Sequence, residues 1–188
     1  ISRAKEAEEA LLESMGKYQV LVERSNDGII YAKDGIIIYG NPKIMEMLSI
    51  NSDDFIGRPI STFLHSKVRD SVLERYDRRI KGKDEPSIYE TILINSKNGS
   101  IPVEFNVNLT KLKDETITIV FVRDISKRKQ IEKAIRESEE SYRGLFDNAS
   151  EAISILDSSG VFFDVNPSGQ KMYGYTKNEI VGLTTDNI

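Results

Sequence analysis

The side chains able to do chemistry are few in this 188-residue chain. It has one histidine, His65, and no cysteine. Catalysis of the Ser–His or Cys–His kind, thiolate metal sites and disulfide frameworks each need more than this. His65 sits just before Ser66, where a helix is expected to open with Ser66 as its cap. A polar residue at a loop-to-helix junction is therefore its expected role. Glu90 falls in an expected strand, and its direction depends on the Asn98-Gly99 turn. In one register Glu90 faces inward with Ile88, Ile92 and Ile94. With a turn one residue longer it faces outward, and Thr91 and Leu93 face in. A buried carboxylate needs a partner, for which Arg75, Arg78 or Arg79 on the helix offer no more than a possibility, and the outward register is favoured. Asp124 and Ser126 flank Ile125 at the head of a charged helix. Each carries an oxygen that accepts a backbone N–H at a helix start, and the carboxylate suits the positive helix end. A cap held by the last strand also joins core to helix, which makes these two the candidates for signal relay. There is no phosphate-binding loop, metal-ligand cluster or paired acids in motif context, so the chain reads as non-enzymatic.

Composition bounds the rest. Apolar residues make up 39% and charged residues 30%, a globular chain with a well-solvated surface. No apolar run approaches the length that spans a bilayer, so no membrane contact is expected. A net charge of −4 argues against a nucleic-acid partner. The one basic cluster, Lys127-Arg128-Lys129, opens a helix rich in acids and reads as a solvated face. The lack of cysteine and of a signal-peptide pattern fits a cytoplasmic protein.

The pattern then predicts the elements. Ser2 to Gln19 reads as a helix, with Ala4, Ala7, Leu11 and Met15 or Ser14 as its stripe. Ile29 to Ala32 and Ile36 to Tyr39, split by Lys33-Asp34-Gly35, read as a hairpin. Asn41-Pro42 opens a helix, Asn as cap and Pro at the first position, with Ile44, Met45, Met47 and Leu48 toward the core. Asn51-Ser52-Asp53-Asp54 has the form of a capping box, and Thr176-Lys177-Asn178-Glu179 repeats it with the better acid. Ser66 to Lys81 is the long helix, with Val68, Val72, Leu73, Tyr76 and Ile80 on one face. Three strands follow, Ile88 to Ile94, Ile101 to Leu109 and Thr116 to Val122, joined at Asn98-Gly99 and Lys113-Asp114-Glu115. Strands at both ends with helices between them point to an α+β fold with one antiparallel sheet. Asp124 to Ser141 is a further helix, with Ile131, Ala134, Ile135 and Ser138 as its seam.

The chain also repeats itself. Tyr18 and Tyr142, Leu21 and Leu145, and Ile29 and Ile153 stand 124 positions apart. After one inserted residue near Ser158 the offset is 125, pairing Gly35 with Gly160, Asn41-Pro42 with Asn166-Pro167, Met47 with Met172 and Gly57 with Gly182. Upstream, Ile1-Ser2-Arg3-Ala4-Lys5 matches Ile125-Ser126-Lys127-Arg128-Lys129. A repeat of this length is a domain, not a solenoid turn. The expected organisation is the tail of a preceding unit at 1–16, a complete domain at 17–125, a connecting helix at 126–141 and the first half of another domain at 142–188. A parent with at least three units is implied. The residues at 142–188 are too few for a secure core alone and are expected to be mobile or to borrow structure from a neighbour.

Four segments, in order, resemble the PAS domain family. Leu21-Val22-Glu23-Arg24-Ser25-Asn26-Asp27-Gly28-Ile29-Ile30 resembles its opening, and Tyr39-Gly40-Asn41-Pro42 its strand-to-helix join. Asp54-Phe55-Ile56-Gly57-Arg58-Pro59 resembles its mid-domain turn. Arg123-Asp124-Ile125-Ser126, followed by the basic cluster, resembles the Asp-Ile-Thr junction to an output helix, with Ser126 keeping the hydroxyl of Thr. The resemblance covers 17–126 in full and 142–188 as a partial copy. It implies a five-stranded antiparallel sheet with helices packed on one face, flanked by linker helices. It also implies a sensory module that holds a small ligand or cofactor, or none, between sheet and helices. Such modules pair as homodimers through flanking helices and pass a change along the outgoing helix. In prokaryotes they stand ahead of histidine kinase or cyclic-nucleotide output domains.

Candidates for the pocket wall are Met45, Phe63, Val72, Tyr76, Thr91 and Phe105, and the cofactor is left unknown. Haem b is disfavoured, because haem-binding relatives carry the ligand histidine about where Ser71 stands, and 68–81 holds none. Cysteinyl-flavin chemistry is disfavoured by the lack of cysteine. A ligand-free dimerisation spacer is the alternative, and an enzyme using the pocket is the less favoured one.

Overall fold

The computed structural model describes residues 2–112 and 115–188, with side chains in the first helix described at Lys5 and from Glu13 onward. The chain forms two compact units, Ile1–Lys129 and Gln130–Ile188.

The first unit begins with α1 (Ser2–Glu23). It outruns the expected end at Gln19 because nothing in Val20–Glu23 breaks a helix, and the turn cluster starts only at Ser25. A hairpin follows, β1 (Gly28–Lys33) and β2 (Ile36–Gly40). Asp34 and Gly35, both at positive φ, make its turn. Then come α2 (Pro42–Leu48), α3 (Ser52–Phe55), a 3-10 turn (Ile60–Phe63) and α4 (Ser66–Ile80). β3 (Ile88–Ile94), β4 (Ser100–Leu112) and β5 (Glu115–Asp124) close the unit, and α5 (Ser126–Asn148) leaves it. The β4–β5 turn at Lys113-Asp114 and the α1 stripe at Ala4, Ala7 and Leu11 lie outside the described residues. The sheet is antiparallel throughout, in the order β2-β1-β5-β4-β3.

One face of the sheet is the core. Ile30, Ile37, Leu93, Val103, Phe105, Val107, Val120 and Val122 meet Ile44, Leu48, Phe55, Leu64 and Val72 from the helical layer. This is the α+β, one-sided arrangement that the element order implies.

Several local expectations are corrected. His65, not Ser66, caps α4: its Nδ1 accepts from the Lys67 N–H at 3.2 Å. Its own N–H donates to Ile92 O at 3.0 Å, which fastens the helix start to β3. Asn51 makes no side-chain cap to α3, whereas the Thr176–Glu179 capping box is fully formed. On α4 only Val72 is buried, and Leu73 and Ile80 lie exposed, because the second half of the helix stands off the sheet around a cavity. Met45 and Met47 are half-buried at the edge of the core, while Ile44 and Leu48 are fully enclosed.

Glu90 faces outward and Thr91 and Leu93 face in. The reason is the longer turn: Ile94 pairs with Ser100, so Asn95 to Gly99 all belong to it, with Asn98 at φ 58°.

The second unit repeats the opening of the first. β6 (Ser154–Leu156) pairs antiparallel with β7 (Phe162–Val165), followed by α6 (Pro167–Tyr173), α7 (Lys177–Ile180) and a 3-10 turn (Thr185–Asn187). Its buried cluster is Phe162, Val165 and Ile180, with Tyr173 against it.

Candidate ligand cavity and helix junction

Three features of the first unit bear on function: a knot at the incoming helix, a cavity, and the junction with the outgoing helix. The knot is Asn41, fully buried. Its Oδ1 accepts from the Ile29 N–H at 2.8 Å and from the Ile44 N–H at 3.2 Å. Its Nδ2 donates to Val22 O at 3.0 Å and Asp27 O at 3.1 Å. One side chain thus ties the end of α1, the start of β1 and the N-terminus of α2. The Asn-Pro pattern shows Asn41 only as a helix cap; its recurrence as Asn166 is the sequence signal that it does more.

The cavity has a volume of about 240 Å³ and lies between α4, the β1–β2 turn, the 3-10 turn and the inner face of β4 and β5. Val72, Phe105, Val107 and Val120 form an apolar floor. Tyr76, Arg79 and Tyr89 supply polar groups at the side. Burial pushes the Tyr89 hydroxyl up in pKa, and the Arg79 guanidinium beside it opposes that rise. Arg75 lies over the Tyr89 ring, 4.9 Å from its centroid, and Phe105 meets that ring edge-on at 5.9 Å. Arg79 Nη2 also donates to Pro86 O at 2.6 Å, and Arg78 pairs with Glu85, so the α4–β3 loop is held to the same helix. Of the sequence candidates, Val72, Tyr76 and Phe105 stand on this wall. Met45 lines a separate shallow hollow with Tyr39 and Ile50, and Phe63 packs on Phe55 at 5.0 Å. Thr91 is buried beside the core with its hydroxyl unpaired. His65 and Ser71 are not on the wall.

At the junction, Asp124 Oδ1 accepts from the Ser126 N–H at 2.8 Å, so the carboxylate caps α5. No such cap by the Ser126 hydroxyl is found among the described residues. Buried Ile125 donates its N–H to Pro102 O at 3.0 Å and accepts from the Lys129 N–H at 2.9 Å, which anchors the first turn to β4. Arg123 clamps Asp27 through two bonds, Nε–Oδ1 at 3.2 Å and Nη2–Oδ2 at 2.9 Å, joining the end of β5 to the entry of β1. Glu90, on the outer face, is paired with Lys129 and Arg128, and the Lys129 hydrogen bond foremost holds its carboxyl below the usual range. Between its first turn and buried Phe146, α5 is exposed, including its Ile131 and Ile135 seam.

The first unit is thus a one-sided sheet with a cavity beneath its helices, and α1 and α5 are fastened near the paired ends of β1 and β5. The chain belongs to the PAS domain family: a model described as PAS domain matches residues 26–127, and a second of the same description matches 140–188. Among curated proteins it is 27% identical over 197 residues to sporulation kinase E of Bacillus subtilis strain 168, covering 98% of this chain and 24% of that protein. It is 27% identical over 169 residues to sporulation kinase A of the same organism, covering 88% of this chain and 27% of that protein. The chain therefore spans about a quarter of the length of these relatives. Among solved structures, the PAS domain of an HTR-like protein from Haloarcula marismortui aligns with TM-score 0.56 at 23% identity, covering 64% of this chain and 99% of that one. A PAS domain from a two-component sensor histidine kinase aligns with TM-score 0.51 at 14% identity, covering 61% and 98%. These structures share the fold. No helix among the described residues is long and apolar enough to cross a membrane.

Proposed function

We propose that this region is a non-enzymatic, cytoplasmic sensor and relay. A small ligand occupies the cavity, and α5 passes the change to a downstream output domain, such as a histidine kinase. The observation that carries the reading is the cavity itself, an apolar floor with Tyr76, Arg79 and Tyr89 converging at its side. A concave apolar site with a few placed polar groups is what small-molecule binding needs. The similarity to two sporulation kinases supports the kinase assignment of the output.

Asp124 and Ser126 are proposed to relay the change, because Asp124 binds the helix start directly after β5. A homodimer through the flanking helices fits the apolar residues left exposed there, Met15, Tyr18, Val20 and Leu21 on α1 and Ile131 and Ile135 on α5. Those same residues favour the second reading, a ligand-free dimerisation spacer.

Native mass spectrometry of freshly purified protein separates the two. A stoichiometric small molecule that is lost on denaturation is the expected result. An empty protein at every preparation would leave the spacer reading standing.

A further inference from the structure

On the outer face of the sheet, Glu90 and Glu104 stand directly opposite each other in the β3–β4 ladder. Like charges in such a pair repel and weaken the pairing. Here they are bridged by basic groups. Arg128, in the first turn of α5, reaches Glu90 at 2.8 Å and Glu104 at 3.6 Å. Lys129 reaches Glu90 at 2.7 Å. Arg123, opposite Glu104 in the β4–β5 ladder, approaches it at 3.8 Å. The next rung along the same two strands is Tyr89 with Phe105. Successive side chains of a strand point to opposite faces, so this pair turns inward, onto the cavity wall. Two consecutive rungs thus serve the cavity on one side and the exit helix on the other.

We infer that this double rung is the element that couples cavity to helix. The inference deepens the sensor reading and rests on the cavity being its ligand site. An occupant that shifts Tyr89 or Phe105 changes the tilt of the ladder at the next rung. That rung holds two facing carboxylates, stable together while Arg128 and Lys129 are seated on them. Two arrangements follow. In one the first turn of α5 is seated and the pair neutralised; in the other the turn is released and the carboxylates spread into solvent. Packing in the cavity biases the choice from one side, and charge on the helix biases it from the other. This is the bistable element that coupling between two sites requires. Asp124 sets where the helix starts; the clasp decides whether its first turn stays on the sheet. Salt favours release, because exposed ion pairs are screened.

The test uses the whole 188-residue chain and no ligand. The Lys129 amide, bonded to Ile125 O, reports on the first turn by its hydrogen exchange. Glu90→Gln is expected to speed that exchange about two- to five-fold, the range of an exposed ion pair, and to lower Tm. In an Arg128→Ala, Lys129→Ala background the same substitution removes only repulsion, and Tm is expected to rise by about 1–3 °C. Tyr89→Leu is expected to alter Lys129 exchange in the native chain and to lose that effect once Glu90 is replaced. The same sign for Glu90→Gln in both backgrounds, or no response of Lys129 to Tyr89→Leu, overturns the coupling. Failure to find a ligand would remove the sensor reading alone, since none of these outcomes depends on one.

Discussion

The two units tie the same knot and fill the space around it in opposite ways. Asn166, like Asn41, is fully buried. Its Oδ1 accepts from Ile153 and Gly169 at 2.9 and 2.8 Å, and its Nδ2 donates to Phe146 O and Glu151 O at 3.1 and 2.9 Å. Each partner is the repeat counterpart of an Asn41 partner. The packing beside it is exchanged. The first unit has Gly40 on the strand and Ile44 on the helix; the second has Val165 and Gly169 at those positions. A Cβ on Gly40 would lie 2.9 Å from Ile44 Cγ2 and 2.5 Å from Phe55 Cε1, and a Cβ on Gly169 would lie 2.5 Å from Val165 Cγ2. Strand and helix approach so closely that one residue of the pair must be glycine, and either serves. The knot is therefore invariant chemistry, a set of backbone groups that need partners, while the neighbouring contact is only a volume to be filled once.

Removing the knot is the largest way to break this equivalence. Asn41→Ala takes the partner from the Ile29 and Ile44 N–H groups and from Asp27 O, leaves Val22 O with only its 3.4 Å bond from the Ser25 N–H, and is expected to cost about 3–5 kcal/mol, read from urea denaturation followed at the five-stranded sheet. Asn166→Ala is expected to deprotect the Ile153 and Gly169 amides while leaving the Ile29 and Ile44 amides unchanged in hydrogen exchange. An Asn41→Ala cost under about 1 kcal/mol would show that the knot is decoration.

Exchanging the packing comes next. Gly40→Val alone is expected to cost about 1–3 kcal/mol through overpacking. Combined with Ile44→Gly it should be more stable than the sum of the singles by about 1–2 kcal/mol, and Phe55→Ile completes the set used by the second unit. Strict additivity in that cycle would deny that the two positions share one space.

A smaller effect separates the two cores. Among the described residues, the fully buried side-chain atoms without partners, Arg69 Nε and Thr91 Oγ1, belong to the first unit. Thr91→Val keeps the shape, drops the orphan hydroxyl and is expected to stabilise by about 1 kcal/mol in thermal melts. A loss of stability would mean that the hydroxyl has a partner in solution.

The smallest effect lies in the mid-domain turns. Glu179 accepts hydrogen bonds from the Thr176 backbone N–H at 2.9 Å and from its hydroxyl at 2.7 Å, and those bonds, the backbone one foremost, hold its carboxyl below the ordinary 4.5. A depressed carboxylate contributes above its unfolded value, and the contribution is lost as pH falls through the folded one. Acidification below about pH 4.5 is therefore expected to loosen α7 at the Thr176 amide. Asn51→Thr with Asp54→Glu should move the box to the first unit and gain about 0.5 kcal/mol.

Much of this architecture was legible from local pattern. The hairpin, the Asn41-Pro42 helix start, the limits of β3, the capping box at Thr176 and the repeat are set by residues within a few positions of each other. What was missed depends on distance along the chain. The Asn51 box failed because a matching spacing does not ensure that the side chain turns back. The wide apolar face read on α4 failed because periodicity shows which residues are able to pack, not where the sheet leaves room. Three of the six cavity candidates stand elsewhere for the same reason. The clasp was invisible because Arg128 meets Glu90 across 38 positions.

The sequence by itself determined the family and the order of elements, because caps, turns and period are properties of short stretches of chain. Only the tertiary structure decided which face Glu90 takes, what lines the cavity and what Asn41 holds together. Register, burial and ion pairing arise when distant segments are brought into one space, and a one-residue turn is enough to choose between their outcomes.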